Sequence, residues 1–131
     1  MRKTARETAL KLIYEFTVTG RKNALTYNSL ISSEDFTSGD LAYIDKVYNG
    51  VIENAAAITA VIEANTEGYR LERIYKTDLA ILMLSVYEMK FCKGISHAVS
   101  VNEAVELAKI YSTDKSYSFI NGVLAKITQN A

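Results

Sequence analysis

The sequence predicts an all-α protein with about seven helices, and three observations support this prediction. Proline is absent from the 131 residues, so no helical pattern is broken by a residue that cannot continue a helix. Apolar residues recur at steps of three and four along most of the chain, and no convincing strand pattern remains. With 49% apolar and 23% charged residues, the composition is typical of a folded protein, and the length fits one domain.

The first predicted helix begins with a capping box, because Thr4 can accept a hydrogen bond from the amide of Glu7. Apolar residues then follow at helical spacing, and Gly20 ends the pattern. A short amphipathic stretch over residues 24–31 and a polar loop over residues 32–39 come next. These signals predict two helices in the first third of the chain.

Residues 40–62 carry the longest helical pattern, with Asp40 as the predicted N-cap. Apolar side chains recur on one face over about six helical turns, at Leu41, Ile44, Tyr48, Val51, Ala55, Ile58 and Ile62. The pattern predicts one long bundle helix, and a heptad seam for a partner helix is the alternative. Gly50 and Gly122 lie inside helical patterns, so we predict that the backbone of another helix approaches closely at both glycines.

The second half of the sequence predicts four further helical stretches. A basic stretch over residues 70–74 comes first, and Thr77 then opens a helix that runs to about Cys92. Residues 79–84 of that helix are apolar on every side, so we expect it to lie at the centre of the core.

A loop over residues 93–99 is predicted to precede a second capping box, formed by Ser100 and Glu103. The helix launched by this box continues to Tyr111. Residues 113–116 break the pattern and begin the last predicted helix.

The sequence lacks the residues and motifs that most enzymes and metal sites need. Cys92 is the single cysteine and His97 the single histidine, so neither an intrachain disulfide nor a zinc site is expected. No glycine-rich phosphate loop, Gly-x-Ser-x-Gly elbow or His-Glu-x-x-His pair occurs, and Glu103 and Glu106 fit a solvated helix face. We therefore predict no catalysis, no cofactor and no metal.

Two further features indicate a cytoplasmic protein with no membrane partner. The longest apolar run, residues 79–84, is far shorter than the roughly 20 residues that cross a bilayer. The N-terminus shows no secretory signal, and a single cysteine suits a reducing compartment.

The formal net charge is zero, but the charge is distributed unevenly along the chain. Residues 1–22 carry six basic and two acidic residues, whereas residues 34–67 carry one basic and seven acidic residues. Residues 68–131 carry eight basic and six acidic residues. The N-terminal end can therefore attract phosphate groups while the middle of the chain repels them.

Aromatic residues are frequent and several of them adjoin a cation. The chain has nine tyrosines and four phenylalanines, and the adjoining pairs include Tyr69-Arg70, Tyr75-Lys76 and Lys115-Ser116-Tyr117. Single-stranded RNA is bound by cations along its backbone and by rings that stack on its bases. RNA binding is therefore one candidate function, and a generic protein-interaction module is the other.

Five stretches of the sequence carry a family resemblance. In order, they are Arg2-Lys3-Thr4-Ala5-Arg6-Glu7 continuing to Tyr14, Asn49-Gly50-Val51, Asp78 to Leu82 with Tyr87-Glu88, Val101 to Lys109, and Ser116 with Phe119 to Leu124 and Lys126-Ile127. Together they resemble the NusB family of bacterial transcription antitermination factors, from one end of the chain to the other. The last two stretches are the most specific because they occur together at the right separation.

The resemblance implies an RNA-binding protein that is not an enzyme. Family members bind the boxA element of nascent ribosomal RNA as a heterodimer with NusE, the small-subunit ribosomal protein S-ten. The complex joins RNA polymerase with other Nus factors and suppresses premature termination. The fold implied is a single domain over residues 1–131, in two packed helical subdomains that cover about 1–67 and 68–131.

The resemblance also implies which residues form the sites. The residues expected to bind RNA are Arg2, Lys3, Arg6, Lys109, Tyr111, Lys115, Ser116 and Phe119. Phe119 is the candidate ring for base stacking, and Tyr14 and Asp78 match positions implicated in contact with NusE. Thr4 stands where some members have a third consecutive arginine, which weakens the RNA affinity expected of the protein alone. Lys115 stands where an acidic residue is familiar, which favours phosphate.

Two alternatives to an antitermination factor remain at the level of sequence. The first is a NusB-like helical domain that acts as a homodimeric protein-interaction module without an RNA role. The second is a domain detached from an RNA cytosine methyltransferase, since some of those enzymes carry a NusB-like N-terminal domain.

Overall fold

A computed structural model describes residues 2–130 of the chain, with the side chain of Arg2 outside the described set. The helices are Arg2–Thr19 (α1), Ala24–Ser32 (α2), Ser38–Glu53 (α3), Ala55–Ala64 (α4), Lys76–Phe91 (α5), His97–Tyr111 (α6) and Ser116–Gln129 (α7), with one 3-10 turn at Leu71–Arg73. No strand occurs within the described range. The prediction of an all-α fold with about seven helices is confirmed.

The centre of the core is α5, as its apolar sequence predicts. Every residue from Asp78 to Glu88 is buried, and the helix packs against α1, α3, α4, α6 and α7. A helix that is apolar on all sides can bury its whole surface only when other helices surround it. The predicted division into residues 1–67 and 68–131 stays a prediction, since α5 packs against helices from both stretches.

The predicted long helix is wrong, because the chain breaks at Asn54 into α3 and α4. At this point both the side-chain amide and the backbone amide of Asn54 donate to the carbonyl of Gly50, at 2.8 and 3.0 Å. Ile58 and Ile62 beyond the break are buried like the apolar residues before it. The apolar stripe thus continues across the break and conceals it in the sequence. The basic stretch 70–74 forms only a single 3-10 turn, so the number of helices is unchanged.

The N-caps of two helices also differ from the prediction. The cap of α3 is Thr37 and not Asp40, which instead completes a capping box by accepting from the Thr37 amide at 3.3 Å. The cap of α6 is Ser96, whose hydroxyl accepts from the amide of Val99 at 3.2 Å. Residues 97–99, expected in a loop, are therefore helical.

The two predicted capping boxes at Thr4 and Ser100 do not start their helices. The helix α1 already includes Arg2, so Thr4 lies inside it. Ser100 is buried in α6, and its hydroxyl donates to the carboxylate of Glu88 at 3.0 Å. The side chain of Ser100 therefore forms a tertiary hydrogen bond, and it does not form the local cap that the sequence pattern predicts.

The predicted close approach of another helix backbone is wrong at Gly122, and at Gly50 the close neighbour is a side chain of α5. A Cβ atom at Gly50 would overlap the aromatic ring of Tyr87, so glycine leaves the space on α3 that this ring fills. A Cβ atom at Gly122 would meet no atom within 4 Å.

Glu88 places a carboxylate inside the apolar core, where it links four helices. Its Oε2 atom accepts from Nε of Arg6 in α1 at 2.9 Å and from the hydroxyl of Tyr43 in α3. Its Oε1 atom accepts from Ser100 in α6. Nη1 of Arg6 lies 3.6 Å from the carboxylate of Glu103, and the guanidinium carbon lies 5.8 Å from the Tyr43 ring centroid.

The protonation states of this cluster follow from burial and from the charge of Glu88. Burial raises the pKa of Tyr43, and the nearby negative charge raises it further, so the phenol keeps its proton and donates. Burial alone lowers the pKa of Arg6, but Glu88, Tyr43 and Glu103 outweigh it and raise that pKa. Arg6 is therefore a charged donor at neutral pH.

We expect Gly50→Ala to lower the free energy of unfolding by about 1–3 kcal/mol, because the new methyl group must displace the Tyr87 ring. The matched control is Gly122→Ala, which has open space and gains up to about 1 kcal/mol of helix propensity. Urea denaturation of the two variants measures the difference. Equal stabilities would contradict the close packing of α3 on α5.

We expect Glu88→Leu to cost about 3–5 kcal/mol of stability, because it leaves the Arg6 guanidinium buried without its carboxylate. The double variant Arg6→Met/Glu88→Leu should be more stable than Glu88→Leu alone, since it removes both charges. Guanidinium chloride denaturation of both single variants and the double variant gives the coupling between the two residues. Additive effects would show that the two side chains do not act as a pair.

Candidate nucleic-acid interface

The residues predicted to bind RNA fall into three groups along the central helix. The first lies at the N-terminal end of α5 and contains Lys115, Ser116 and Phe119. The second lies at the C-terminal end of α6 and contains Lys109 and Tyr111. The third lies on the first two turns of α1 and contains Lys3 and Arg6, whereas the side chain of Arg2 lies outside the described set.

The first group centres on a pair of aromatic rings. Phe119 on α7 and Tyr69 in the α4–α5 connection pack edge to face, with ring centroids 5.5 Å apart and ring planes 73° apart. Tyr69 is 53% exposed and Phe119 is half-buried, so the pair reaches the surface. Two cations, Lys115 and Arg73, line the same cleft beside the exposed Tyr75. This cleft is called the ring cleft below.

Ser116 and Asp78 lie below the surface of the ring cleft, where they fix the α6–α7 turn. The hydroxyl of Ser112 donates to the carboxylate of Asp78 and lies 2.9 Å from the hydroxyl of Ser116. Ser116 also accepts from the amide of Thr113 at 3.2 Å. Both Ser116 and Asp78 are buried, so they position Lys115 and Phe119 without presenting a surface of their own.

The segment that carries Tyr69 is tied to the last helix. Lys126 on α7 pairs with Glu67, and this hydrogen bond lowers the pKa of Glu67. Asn130 donates to the side-chain oxygen of Asn65 at 3.0 Å. The chain turns here through two residues of positive φ, 55° at Glu67 and 96° at Gly68. These contacts place Tyr69 against the α7 ring.

The second group joins α1 to the end of α6. The ammonium of Lys11 lies 6.0 Å from the centroid of the Tyr111 ring, and the ammonium of Lys109 lies 5.5 Å from that of Tyr117. Burial raises the pKa of Tyr111, and the charge of Glu7 raises it further. Since residue 112 contacts the N-terminal end of α5, this group adjoins the ring cleft.

Tyr14, predicted to contact a partner protein, lies beside the second group. It follows Lys11 by three residues on α1, a spacing that puts the two side chains on one face of the helix. Tyr14 is 42% exposed, and Val18, four residues further along the same face, is 56% exposed. This part of α1 therefore presents an apolar surface.

The third group is separated from the first by most of the length of α5. Asp78 lines the ring cleft, and Glu88 accepts a hydrogen bond from Arg6. The ten residues of α5 from Asp78 to Glu88 span about 15 Å. Lys3 is exposed, but Arg6 is only 6% exposed and is bonded to Glu88. The structure thus gives Arg6 a place in the core, although sequence reasoning assigned it to RNA phosphates.

The structure adds residues that sequence reasoning did not assign to the site. Tyr69, Arg73 and Tyr75 line the ring cleft, and Lys11 and Tyr117 belong to the second group. Most of these residues belong to the ring-and-cation pairs visible in the sequence. What the sequence lacked was the fold that brings residues 69–75 next to residues 113–119.

Other kinds of site were considered from the sequence, and the structure bears on two of them, a membrane span and a metal site. None of the helices in residues 2–130 has an apolar stretch that is long enough to span a bilayer. The same part of the chain contains no group of three or more His, Cys, Asp or Glu side chains arranged to bind a metal ion.

Comparisons with known proteins agree with this architecture. A protein of Acetivibrio thermocellus named "Transcription antitermination protein NusB" is 42% identical over 128 residues, which cover 98% of this chain and 88% of that protein. A solved structure of T. maritima NusB is 27% identical, with a TM-score of 0.87 over 98% of this chain and 91% of that one.

A second solved structure, of the antitermination factors NusB and NusE in complex with dsRNA, supports the fold alone, because it is 24% identical. Its TM-score is 0.88, and the match covers 99% of this chain and 97% of that one. The sequence pattern that defines the NusB family matches residues 3–129. The chain therefore belongs to the NusB family.

Proposed function

We propose that this chain is a transcription antitermination factor that binds boxA-type single-stranded RNA together with NusE, the ribosomal protein S-ten. In this proposal it acts in the bacterial cytoplasm as part of the RNA polymerase antitermination complex and catalyses no reaction. Support comes from its membership of the NusB family and from relatives named as transcription antitermination proteins. The ring cleft is the structural observation that supports the RNA-binding role.

The ring cleft combines the two features that single-stranded RNA requires. Phe119, Tyr69 and Tyr75 offer flat apolar faces, and bases splayed from a single strand stack on such faces. Lys115 and Arg73 supply cations at the same place for the adjoining phosphates. The buried carboxylate of Asp78, which accepts from Ser112, is the only acidic group among the residues that line the described cleft.

The second group extends this surface toward α1. Lys109 and Lys11 lie over the rings of Tyr117 and Tyr111, so each pair presents a cation next to an aromatic edge. In the proposal, the strand leaves the ring cleft along these residues toward Lys3. Ser116 and Arg6 contribute from below, by fixing the α6–α7 turn and the position of α1.

The proposed contact with NusE lies on the exposed face of α1 that contains Tyr14 and Val18. An exposed tyrosine with an apolar neighbour is a frequent anchor of protein interfaces. This face adjoins Lys11 and the second group, so a bound partner could contact the RNA as well. Asp78 affects this contact through the turn that it fixes, since its side chain is buried.

We expect Phe119→Leu to weaken binding of a short boxA RNA by about 5- to 150-fold, the equivalent of one lost stacking interaction of about 1–3 kcal/mol. Leucine keeps an apolar contact with Tyr69, so the helix packing is retained. The matched control is Phe91→Leu, an exposed ring at the opposite end of α5, which should leave the affinity unchanged. Fluorescence anisotropy with and without NusE measures both variants. Equal affinities of wild type and Phe119→Leu would reject the ring cleft as the RNA site.

We expect Tyr14→Ala to weaken binding of NusE by about tenfold or more, because it removes an exposed aromatic anchor. The affinity of the protein alone for RNA should stay the same, since Tyr14 lies outside the ring cleft. Titration calorimetry with NusE measures the first effect, and Phe91→Ala is the control of similar exposure. Unchanged binding of NusE by Tyr14→Ala would move the partner surface away from this face of α1.

A further inference from the structure

We propose that the cavity between α1, α3 and the α5–α6 loop is a second phosphate subsite, which takes a phosphodiester group of the bound RNA. The cavity has a volume of about 460 Å³, and three cationic residues line it, Arg6, Lys46 and Lys93. No acidic residue is among the residues that line it. The inference rests on the proposed RNA-binding function and adds a site about 15 Å from the ring cleft, measured along α5.

The two lysines of the cavity are not engaged elsewhere. Within the described part of the chain, neither Lys46 nor Lys93 forms an ion pair, a side-chain hydrogen bond or a cation–π contact. Lys11, Lys22, Lys109 and Lys126 each lie over a ring or beside a hydrogen-bonding partner. Lys46 and Lys93 therefore bring two uncompensated positive charges to the cavity.

Arg6 forms a fixed cationic wall of the cavity. Its guanidinium is held by Glu88 and Glu103, so its planar donors are already oriented before a ligand arrives. Those two carboxylates carry two negative charges against its one positive charge, and the attraction for an anion therefore comes from Lys46 and Lys93. The fixed guanidinium supplies shape and hydrogen bonds, and the lysines supply the net charge.

Two glycines leave the backbone accessible at the cavity wall. Gly94 has no neighbour within 4 Å of a Cβ position, and Gly39 meets only the Thr37 hydroxyl, at 3.8 Å. Gly39 belongs to the first turn of α3, whose amides point toward the positive end of the helix dipole. The acidic residue of that turn, Asp40, accepts from the Thr37 amide.

The cavity also continues the cationic face of α1. Exposed Lys3 precedes Arg6 by three residues, about one helical turn, so the two lie on the same side of the helix. A strand anchored by a base at Phe119 covers about 15 Å in four or five stacked nucleotides, at roughly 3.4 Å each. RNA length is therefore the variable that separates this site from the ring cleft.

The test compares a 4-nucleotide and a 12-nucleotide boxA RNA in anisotropy titrations. We expect Lys46→Gln/Lys93→Gln to weaken binding of the 12-mer by about tenfold and to reduce its log–log salt slope by about 0.7 for each lost phosphate contact. Binding of the 4-mer should be unchanged. The control Arg21→Gln/Lys90→Gln removes the same charge from exposed residues that, within the described part of the chain, form no ion pair and do not line this cavity.

The possible outcomes are distinct. Equal effects of the two double variants, or equal effects on both RNAs, would show only general electrostatic attraction and would overturn the subsite. Loss of 12-mer binding in Phe119→Leu with no change in Lys46→Gln/Lys93→Gln rejects the subsite alone. No binding by wild type in the presence of NusE rejects the proposed function itself.

A second measurement locates the contact. In 15N NMR titrations, we expect the 12-mer, and not the 4-mer, to shift the amide signals of Gly39 and Gly94. Inorganic phosphate is the separate probe for a site that takes a free anion. Shifts with inorganic phosphate and none with the 12-mer would overturn the assignment to RNA.

Discussion

The buried carboxylate of Glu88 constrains the arrangement of four helices. It accepts hydrogen bonds from Arg6 on α1, Tyr43 on α3 and Ser100 on α6. A carboxylate removed from water is stable only while its partners stay in place, because each missing donor leaves a buried charge unsatisfied. Those helices also carry Lys3, Lys46 and Lys109. The relative positions of these surface lysines therefore depend on the ion pair between Arg6 and Glu88 in the core.

This constraint gives a protein of zero net charge a directed electrostatic surface. Many of the cations are occupied inside the molecule, like Arg6 with Glu88, or lie over rings, like Lys11 and Lys109. A charge that already has a partner gains less from a phosphate than one that does not. The ability to attract RNA therefore depends on which lysines lack a partner. The net charge of the protein does not show which lysines these are.

The sequence predicted the elements whose apolar pattern repeats along one helix, and the apolar stretch 79–84 predicts the central helix. Local cap signals were less reliable, because Ser100 bonds Glu88 across the core and does not cap its own helix. The break at Asn54 could not be predicted, because the apolar stripe continues on both sides of it. The burial of Arg6 depends on a partner 82 residues away, and a sequence pattern of adjacent residues contains no information about such a pair. The same holds for Tyr69 and Phe119, which only the fold brings together.

The fold fixes the side chains of the ring cleft, and this affects the RNA affinity expected of the proposed site. Tyr69 is fixed by the tied segment around Glu67, and the α6–α7 turn is fixed by Ser116, so little ordering of the protein accompanies binding. The gain is limited, however, because the cleft provides few rings and few unpaired cations. Thr4 also occupies the place where some family members have another arginine. In the proposed function, we therefore expect this chain alone to bind a short strand weakly. We expect tight binding to need either a longer strand that reaches the proposed second cationic site or a partner protein that adds contacts beside α1.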